Sequence, residues 1–441
     1  MPAPSTSAAV ERILELARRR ADAAEVYLEA RESRPIQFEN NELKYVHTKS
    51  ERGVSLRVIH RGRLGFASTT DLSEPERLVA RAVESAQFGQ EARFAFPARA
   101  ACPAVEVYDP RVAQFPVEEG IRLGREAIAS VLEAVPDAQC YVEINKSVTT
   151  QRLANTSGLD AQQEATGFEC HLVVLRIRDG SMLWVSDGDS SCGLMADFDR
   201  YTAKVIGDIR RAETEVKAPS GALPVLFTAR AVGLLLQFIE TAVNGKLVQK
   251  GASPLTGRLG EQVLDPSVTL WDDATRDYGD GSWPWDAEGV PGRRTVLFER
   301  GVLRSYLFDL QTAGMLGVES TGNADRDFPS LPHPAASNLV LAPGAETFEG
   351  LLAGIGRGLV VDEVIGGGQS NVLAGEFSVN VGLGFLVERG ELAGRVKDCM
   401  MAGNVFELFR RIRGIGSRQE THGSTVTPPI CFEGVHVAGG E

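Results

Sequence analysis

The stretch "FECHLVVLRIRDGSMLWVS", residues 168 to 186, decides the fold class. Apolar and polar residues alternate along it, and Asp179-Gly180 interrupts the run. Asp-Gly readily adopts the positive φ of a type I′ turn, so the stretch predicts a β-hairpin. Working back from it, Cys140, Val142 and Ile144 also share one face, and Asn155-Thr156-Ser157-Gly158 reads as a turn. Earlier still, "GVSLRVIHRGRLGF", residues 53 to 66, alternates Val54, Leu56 and Val58 before turning near Arg61-Gly62. Helical periodicity appears only between such stretches. Val10, Ile13, Leu14 and Ala17 mark a first helix, and Ile121, Ile128, Val131 and Leu132 mark another over 117–134. Ser73 and Glu76, three apart, predict a capping-box start for a helix reaching about residue 88. Hairpins with irregularly interspersed helices favour α+β over a parallel α/β fold.

Length and composition narrow the function. The chain has 441 residues, enough for two domains, and 24% charged residues, which is globular composition. The polar segment "RRAETEVKAPSG" at 210–221 has the character of an interdomain connection, which predicts domains over 1–220 and 221–441. A net charge of −13 argues against a nucleic-acid partner, because phosphate binding needs clustered cations. The short runs Arg18-Arg19-Arg20 and Arg410-Arg411 read as solvated helix ends. No apolar run reaches the roughly 18 residues that would predict a membrane span. "MPAPSTSAAVERILELARRR" does not read as a secretory signal. Six scattered cysteines without a CxxC pair read as small buried hydrophobes of a reducing compartment, so the expected location is cytoplasmic.

Familiar catalytic signatures are missing. His47, His60, His171, His333, His422 and His436 are too far apart in sequence for a local metal grip, and no cofactor is expected. Neither a G-x-S-x-G elbow nor a Walker motif occurs, and Gly366-Gly367-Gly368 does not complete G-x-G-x-x-G because residue 371 is Asn. Asp362, Glu363 and Glu376 have acid–base chemistry but read first as hydrogen-bonded or solvated carboxylates. Trp283 and Trp285, in an acidic glycine-rich loop, suit either an anchor for a peptide or subunit, or a plug over the core.

Three longer segments carry more. They are "LPVLFTARAVGLLLQFIETAVNGKLVQKGASPLTGRLGEQV" (223–263), "STGNADRDFPSLPHPAASNLVLAPG" (320–344) and the run from Gly358 to Ser417. Together with the "NTSGLD" turn at 155–160, they resemble the TldD/PmbA family, and specifically its PmbA branch, also called TldE. The resemblance implies a two-domain α+β protein working as a dimer. In that family the TldD branch carries a helix beginning His-Glu-x-x-x-His and is a metallopeptidase, and the TldE branch pairs with it and lacks the metal. The family's older label, modulator of DNA gyrase, fits so acidic a chain poorly as a direct DNA-binding activity.

Carried over by position, the two histidines fall on Ala229 and Leu234 and the general-base glutamate on Arg230. Ala and Leu cannot ligate zinc, and arginine stays protonated and cannot accept a proton from water. The family's third ligand, a cysteine, falls near His422. The resemblance therefore implies no catalytic, cofactor or metal residues here. It implies a TldE-like subunit of a TldD-type complex that trims or degrades an extended peptide. An independent metal-free enzyme of specialised metabolism and a peptide-binding homodimer are the alternatives. Residues that would line a peptide chamber are Asn323 and Arg326, from the "STGNADR" segment, and Glu376, Ser378 and Asn380. The last three alternate with apolar Phe377, Val379 and Val381, so they belong on the opposite face of a strand.

Overall fold

The computed structural model describes residues 6–178, 180–195, 197–366 and 370–440. Its N-terminal half is one seven-stranded sheet. Strands Arg63–Thr69, Lys49–His60, Ala23–Glu39, Ala138–Asn155, Asp160–Arg178 and Ser181–Ser191 lie side by side in that order, and Glu42–Val46 also pairs with Ala23–Glu39. Every pairing in it is antiparallel. The hairpin read from residues 168–186 is present, with Leu175 opposite Trp184, although Asp179 itself lies outside the described residues. At the earlier turn, Arg61 and Gly62 both take positive φ.

Helices cover one face of this sheet. Thr6–Arg18 and Pro75–Ser85 pack on Val26, Leu28 and Leu56. Val117–Ala134 and Phe198–Arg211 pack on Phe38, Val142 and Leu172. The capping box expected at Ser73 does not form. Its hydroxyl donates to Asp71 instead, the helix starts at Pro75 behind Glu74, and it ends at Ser85. Proline at the first helical position is preorganised for a start without a side-chain cap.

The C-terminal half holds an eight-stranded sheet and a six-stranded sheet. The helix Ala229–Val243 is buried between them, sharing one core with Phe227, Val361 and Phe432 of the first and Leu270, Leu297 and Leu339 of the second. The glycine- and proline-rich section before residue 345 therefore supplies short strands as well as loops: Leu270–Asp273, Arg294–Glu299 and Leu339–Leu341 build the smaller sheet. Within the connecting segment, Glu215–Lys217 joins the larger sheet beside Glu391–Lys397.

The uncovered face of the N-terminal sheet meets the C-terminal half, which also reaches the helix side through Leu383 and Phe385. Glu25 and Tyr27 face the C-terminal half, which roofs Tyr27 and Leu153 with Trp285 and buries Glu25 under Arg326. Further along the same strands the roof lifts.

Candidate functional site

The helix Ala229–Val243 begins where the strand Gly221–Phe227 ends, capped by Thr228, whose hydroxyl accepts from the Ala231 N–H. Residues five apart on a helix point about 140° apart at 3.6 residues per turn. Ala229 accordingly turns into the core, 2% exposed, while Leu234 lines a cavity of about 420 Å³. Arg230 reaches across that cavity to the N-terminal sheet. Its Nη1 donates to Glu363 Oε1 at 2.5 Å and to the Ser186 carbonyl at 2.5 Å, and its Nη2 donates to Ser186 Oγ at 2.7 Å. Glu363 Oε1 in turn accepts from the Ser186 N–H and hydroxyl, so three groups from three distant segments close one ring of bonds.

A second ion cluster adjoins it. Lys204, on the helix Phe198–Arg211, donates to Asp208 at 2.9 Å and to Asp362 at 3.0 Å. Burial pushes the Asp362 carboxyl up, but the Lys204 charge and hydrogen bond, with the Arg230 charge and a bond from Thr228, together outweigh it and leave the group below its ordinary value. His422 lines the same cavity, 3.5 Å from Glu420, whose carboxyl is held down chiefly by that contact.

The donor set does not fit a catalytic metal. Ala229 and Leu234 carry no donor atom, Arg230 puts a fixed positive charge where a general base would act, and Asp362 and Glu363 are already committed to cations. Among the described residues no three His, Cys, Asp or Glu side chains are placed to hold one ion. The five buried thiols are unsuited to nucleophilic attack at neutral pH. Burial pushes Cys140 and Cys192 up to about 12, and Cys170, Cys399 and Cys431 up to about 11.

The other sequence candidates separate into two groups. Glu376 and Asn380 are exposed and Ser378 is half-buried, while Phe377 and Val381 join the core and Val379 packs against it. Asn323 and Arg326 lie elsewhere and are buried, Asn323 within the C-terminal half and Arg326 where that half meets the N-terminal sheet. Asn323 Nδ2 donates to Asp272 Oδ2 at 2.6 Å, and Arg326 pairs with Glu25 at 3.0 Å over the Tyr27 ring. Both side chains show almost no surface to solvent. The tryptophan pair also splits. Trp285 plugs the core, while Trp283 borders a polar groove with its indole N–H on the Gly322 carbonyl. Gly367 and Gly368 lie outside the described residues. Ser186 and Lys204 had no local signal for the cleft in the sequence, since the partners that bring them to it, Arg230 and Asp362, lie 44 and 158 residues away.

This α+β chain, whose buried helix opens on a charged cleft, matches family models of metallopeptidase domains. The profile of the PmbA/TldA metallopeptidase C-terminal domain matches residues 220–439, and that of domain 1 matches residues 24–86. A metalloprotease of Methanothermobacter thermautotrophicus is 30% identical over 413 residues, covering 90% of this chain and 88% of its own. The metalloprotease PmbA of Escherichia coli O157:H7 is 26% identical over 98% of this chain and 95% of its own. Among solved structures, a candidate modulator of a DNA gyrase from Thermotoga maritima superposes with TM-score 0.90 at 27% identity, covering 98% of this chain and all of that one. TldE from Thermococcus kodakarensis shares the fold with TM-score 0.89 at 24% identity, over 98% of this chain and 100% of its own. This chain belongs to the TldD/PmbA metallopeptidase family.

Proposed function

We propose that this chain is a non-catalytic, TldE-like subunit that pairs in the cytoplasm with a TldD-type chain bearing His-Glu-x-x-x-His, in a complex that trims or degrades peptides. The observation that carries this reading is Arg230. At the helix position where a peptidase of the family needs a carboxylate to take a proton from water, this chain has a guanidinium already bonded to Glu363 and Ser186. The partner supplies the metal and the activated water. This chain supplies part of the wall that excludes solvent and positions the substrate, and positioning alone contributes substantially to rate. The exposed polar face of Glu376, Ser378 and Asn380 is proposed as part of that wall. Arg326 serves it from behind by fixing the two halves of the chain to each other, and Asn323 by holding Asp272 within the C-terminal half.

The test is reconstitution. The purified chain is expected to hold no stoichiometric zinc by elemental analysis and to leave unfolded peptides intact, whereas adding the His-Glu-x-x-x-His partner produces chelator-sensitive cleavage. Cleavage by this chain alone, insensitive to chelator and lost on mutating one of its own residues, would overturn the reading.

A further inference from the structure

The open part of the N-terminal sheet has a regular polar floor. Asn145, Ser147, Thr149 and Gln151 follow one another at alternate positions of one strand, all on the face away from the helices. Directly opposite on the next strand, Glu169 faces Asn145 and Gln163 faces Gln151, with only Ala165 and Gly167 between them. A cavity of about 320 Å³ lies over this floor, walled by Asp280, Ser282 and Trp283 from the C-terminal half.

Three features say what fits there. Side chains at alternate strand positions recur every ~6.8 Å, the interval at which an extended polypeptide laid along the strand presents successive N–H and C=O pairs to one side. The small residues keep the middle of the floor low, and even a Cβ at Gly167 would stand 2.8 Å from Ser147 Oγ. Asn145 Oδ1 and Gln163 Oε1, near opposite ends, are buried acceptors without a hydrogen-bond partner. Their amide nitrogens are held, Asn145 Nδ2 by Glu169 and Gln163 Nε2 by Gln151, and the unpaired acceptors gain from the N–H groups a peptide backbone carries.

Charge gives the occupant a polarity. Burial holds the Asp280 carboxyl above its ordinary value, the nearby Glu169 and Asp189 charges add to the effect, and a bond from Ser190 and the Arg31 charge oppose it. A cation seated by Asp280 and Glu169 relieves that repulsion, with the Trp283 indole bordering the same cavity. The groove also leads somewhere. Gly423 lies against its end, where an added Cβ would be 3.2 Å from Ser190 Oγ and 3.6 Å from Asp280 Oδ2, and its neighbour His422 lines the Arg230 cavity.

We infer that this groove reads the main chain of an extended peptide, roughly six residues long, with a lysine, an arginine or a free amino terminus at Asp280 and Glu169. The inference rests on the peptide-holding role proposed above, and it adds where the peptide lies and which end is favoured.

The test uses the full chain without its partner, so that a failure of reconstituted cleavage and a failure of this groove are read separately. Fluorescence anisotropy is measured with a labelled, unstructured peptide of about twelve residues bearing one lysine, with a lysine-free version, and with a version N-methylated along its backbone. The unmodified chain is expected to bind the lysine peptide, and N-methylation is expected to weaken binding at least tenfold. Ala165→Phe, which fills the floor, should weaken it as much. Asp280→Asn should weaken the lysine peptide severalfold while leaving the lysine-free one unchanged. Asn145→Ala, a simple truncation, provides the same readout should Ala165→Phe disturb the fold. No binding by the unmodified chain overturns the inference. So does binding indifferent to N-methylation and to all three substitutions, or displacement of the peptide by a neutral oligosaccharide such as cellohexaose.

Discussion

Two arginine clusters tie the N-terminal sheet to the C-terminal half, and they differ in how far water reaches them. In the first, Arg57 and Arg326 meet Glu25 and Glu288 with side chains 0–3% exposed. Arg57 also packs against the rings of both Phe94 and Phe96. In the second, Arg230 bridges Glu363 and Ser186 at the rim of a cavity, with its side chain 29% exposed. Both read alike as sequence, an arginine with distant carboxylates. Burial separates them. A dry cluster holds the halves in one relative position, because any opening strands charges in a poor solvent. A wet one can exchange its partners for water or ligand at modest cost.

The carboxylates repeat the contrast. Asp272 and Asp362 are both deeply buried, but Asp272 has only neutral donors, Asn323 and Ser337, while Asp362 has Lys204. Burial accordingly pushes Asp272 up to about 7, whereas Asp362 ends below its ordinary value. A nearby cation decides the direction.

The largest effect should come from breaking the dry cluster. Arg326→Met leaves Glu25 with one cation fewer inside the joint, and a loss of about 3 kcal/mol is expected in urea unfolding. A loss under about 1 kcal/mol would mean that water enters the joint and that the two clusters do not differ as described.

The carboxylate contrast gives an intermediate effect. Asp272 binds a proton more tightly in the folded chain than in the unfolded one, so its contribution is present at acid pH and fades as pH rises from about 4 through about 7. Burial also raises Asp286 to about 7, which acts in the same direction. Asp362 acts the opposite way, contributing above its ordinary value of 3.8 and losing that contribution as pH falls below it. Stability is therefore expected to be higher at about pH 5.5 than at about pH 7.5, by on the order of 2 kcal/mol. Asp272→Asn should flatten that slope; a slope unchanged in the variant would remove Asp272 as its source.

The smallest effect belongs to the wet cluster. After Arg230→Met, Glu363 keeps its two bonds from Ser186 and can reach water. Roughly 1 kcal/mol is the expected loss, with the fold intact by circular dichroism. If Arg230→Met proved as damaging as Arg326→Met, Arg230 would belong to the structural joint rather than to a functional cleft.

Much of this was legible before any coordinates. The Asp-Gly hairpin, the alternation of Val54, Leu56 and Val58, and the helix over 117–134 depend on local periodicity, and each formed where expected. The capping box at Ser73 failed because a neighbouring aspartate claimed the hydroxyl, a competition within two residues that the spacing rule ignores. The "STGNADR" segment pointed to Asn323 and Arg326 as chamber residues, yet their bonds are to Asp272 and Glu25, fifty-one and 301 positions away. Likewise, the even choice over the two tryptophans was settled only by which side of one loop met the core.

What the sequence by itself determined, then, is the class of fold and the chemistry that Ala229, Arg230 and Leu234 cannot perform, because hydrophobic period and side-chain functional groups are local properties. Tertiary structure alone decided what Arg230 does instead, which arginine stays dry, and where an open polar groove remains. Those outcomes depend on solvent exclusion between surfaces from opposite halves of the chain, and exclusion is a property of the packed halves together that neither segment carries alone.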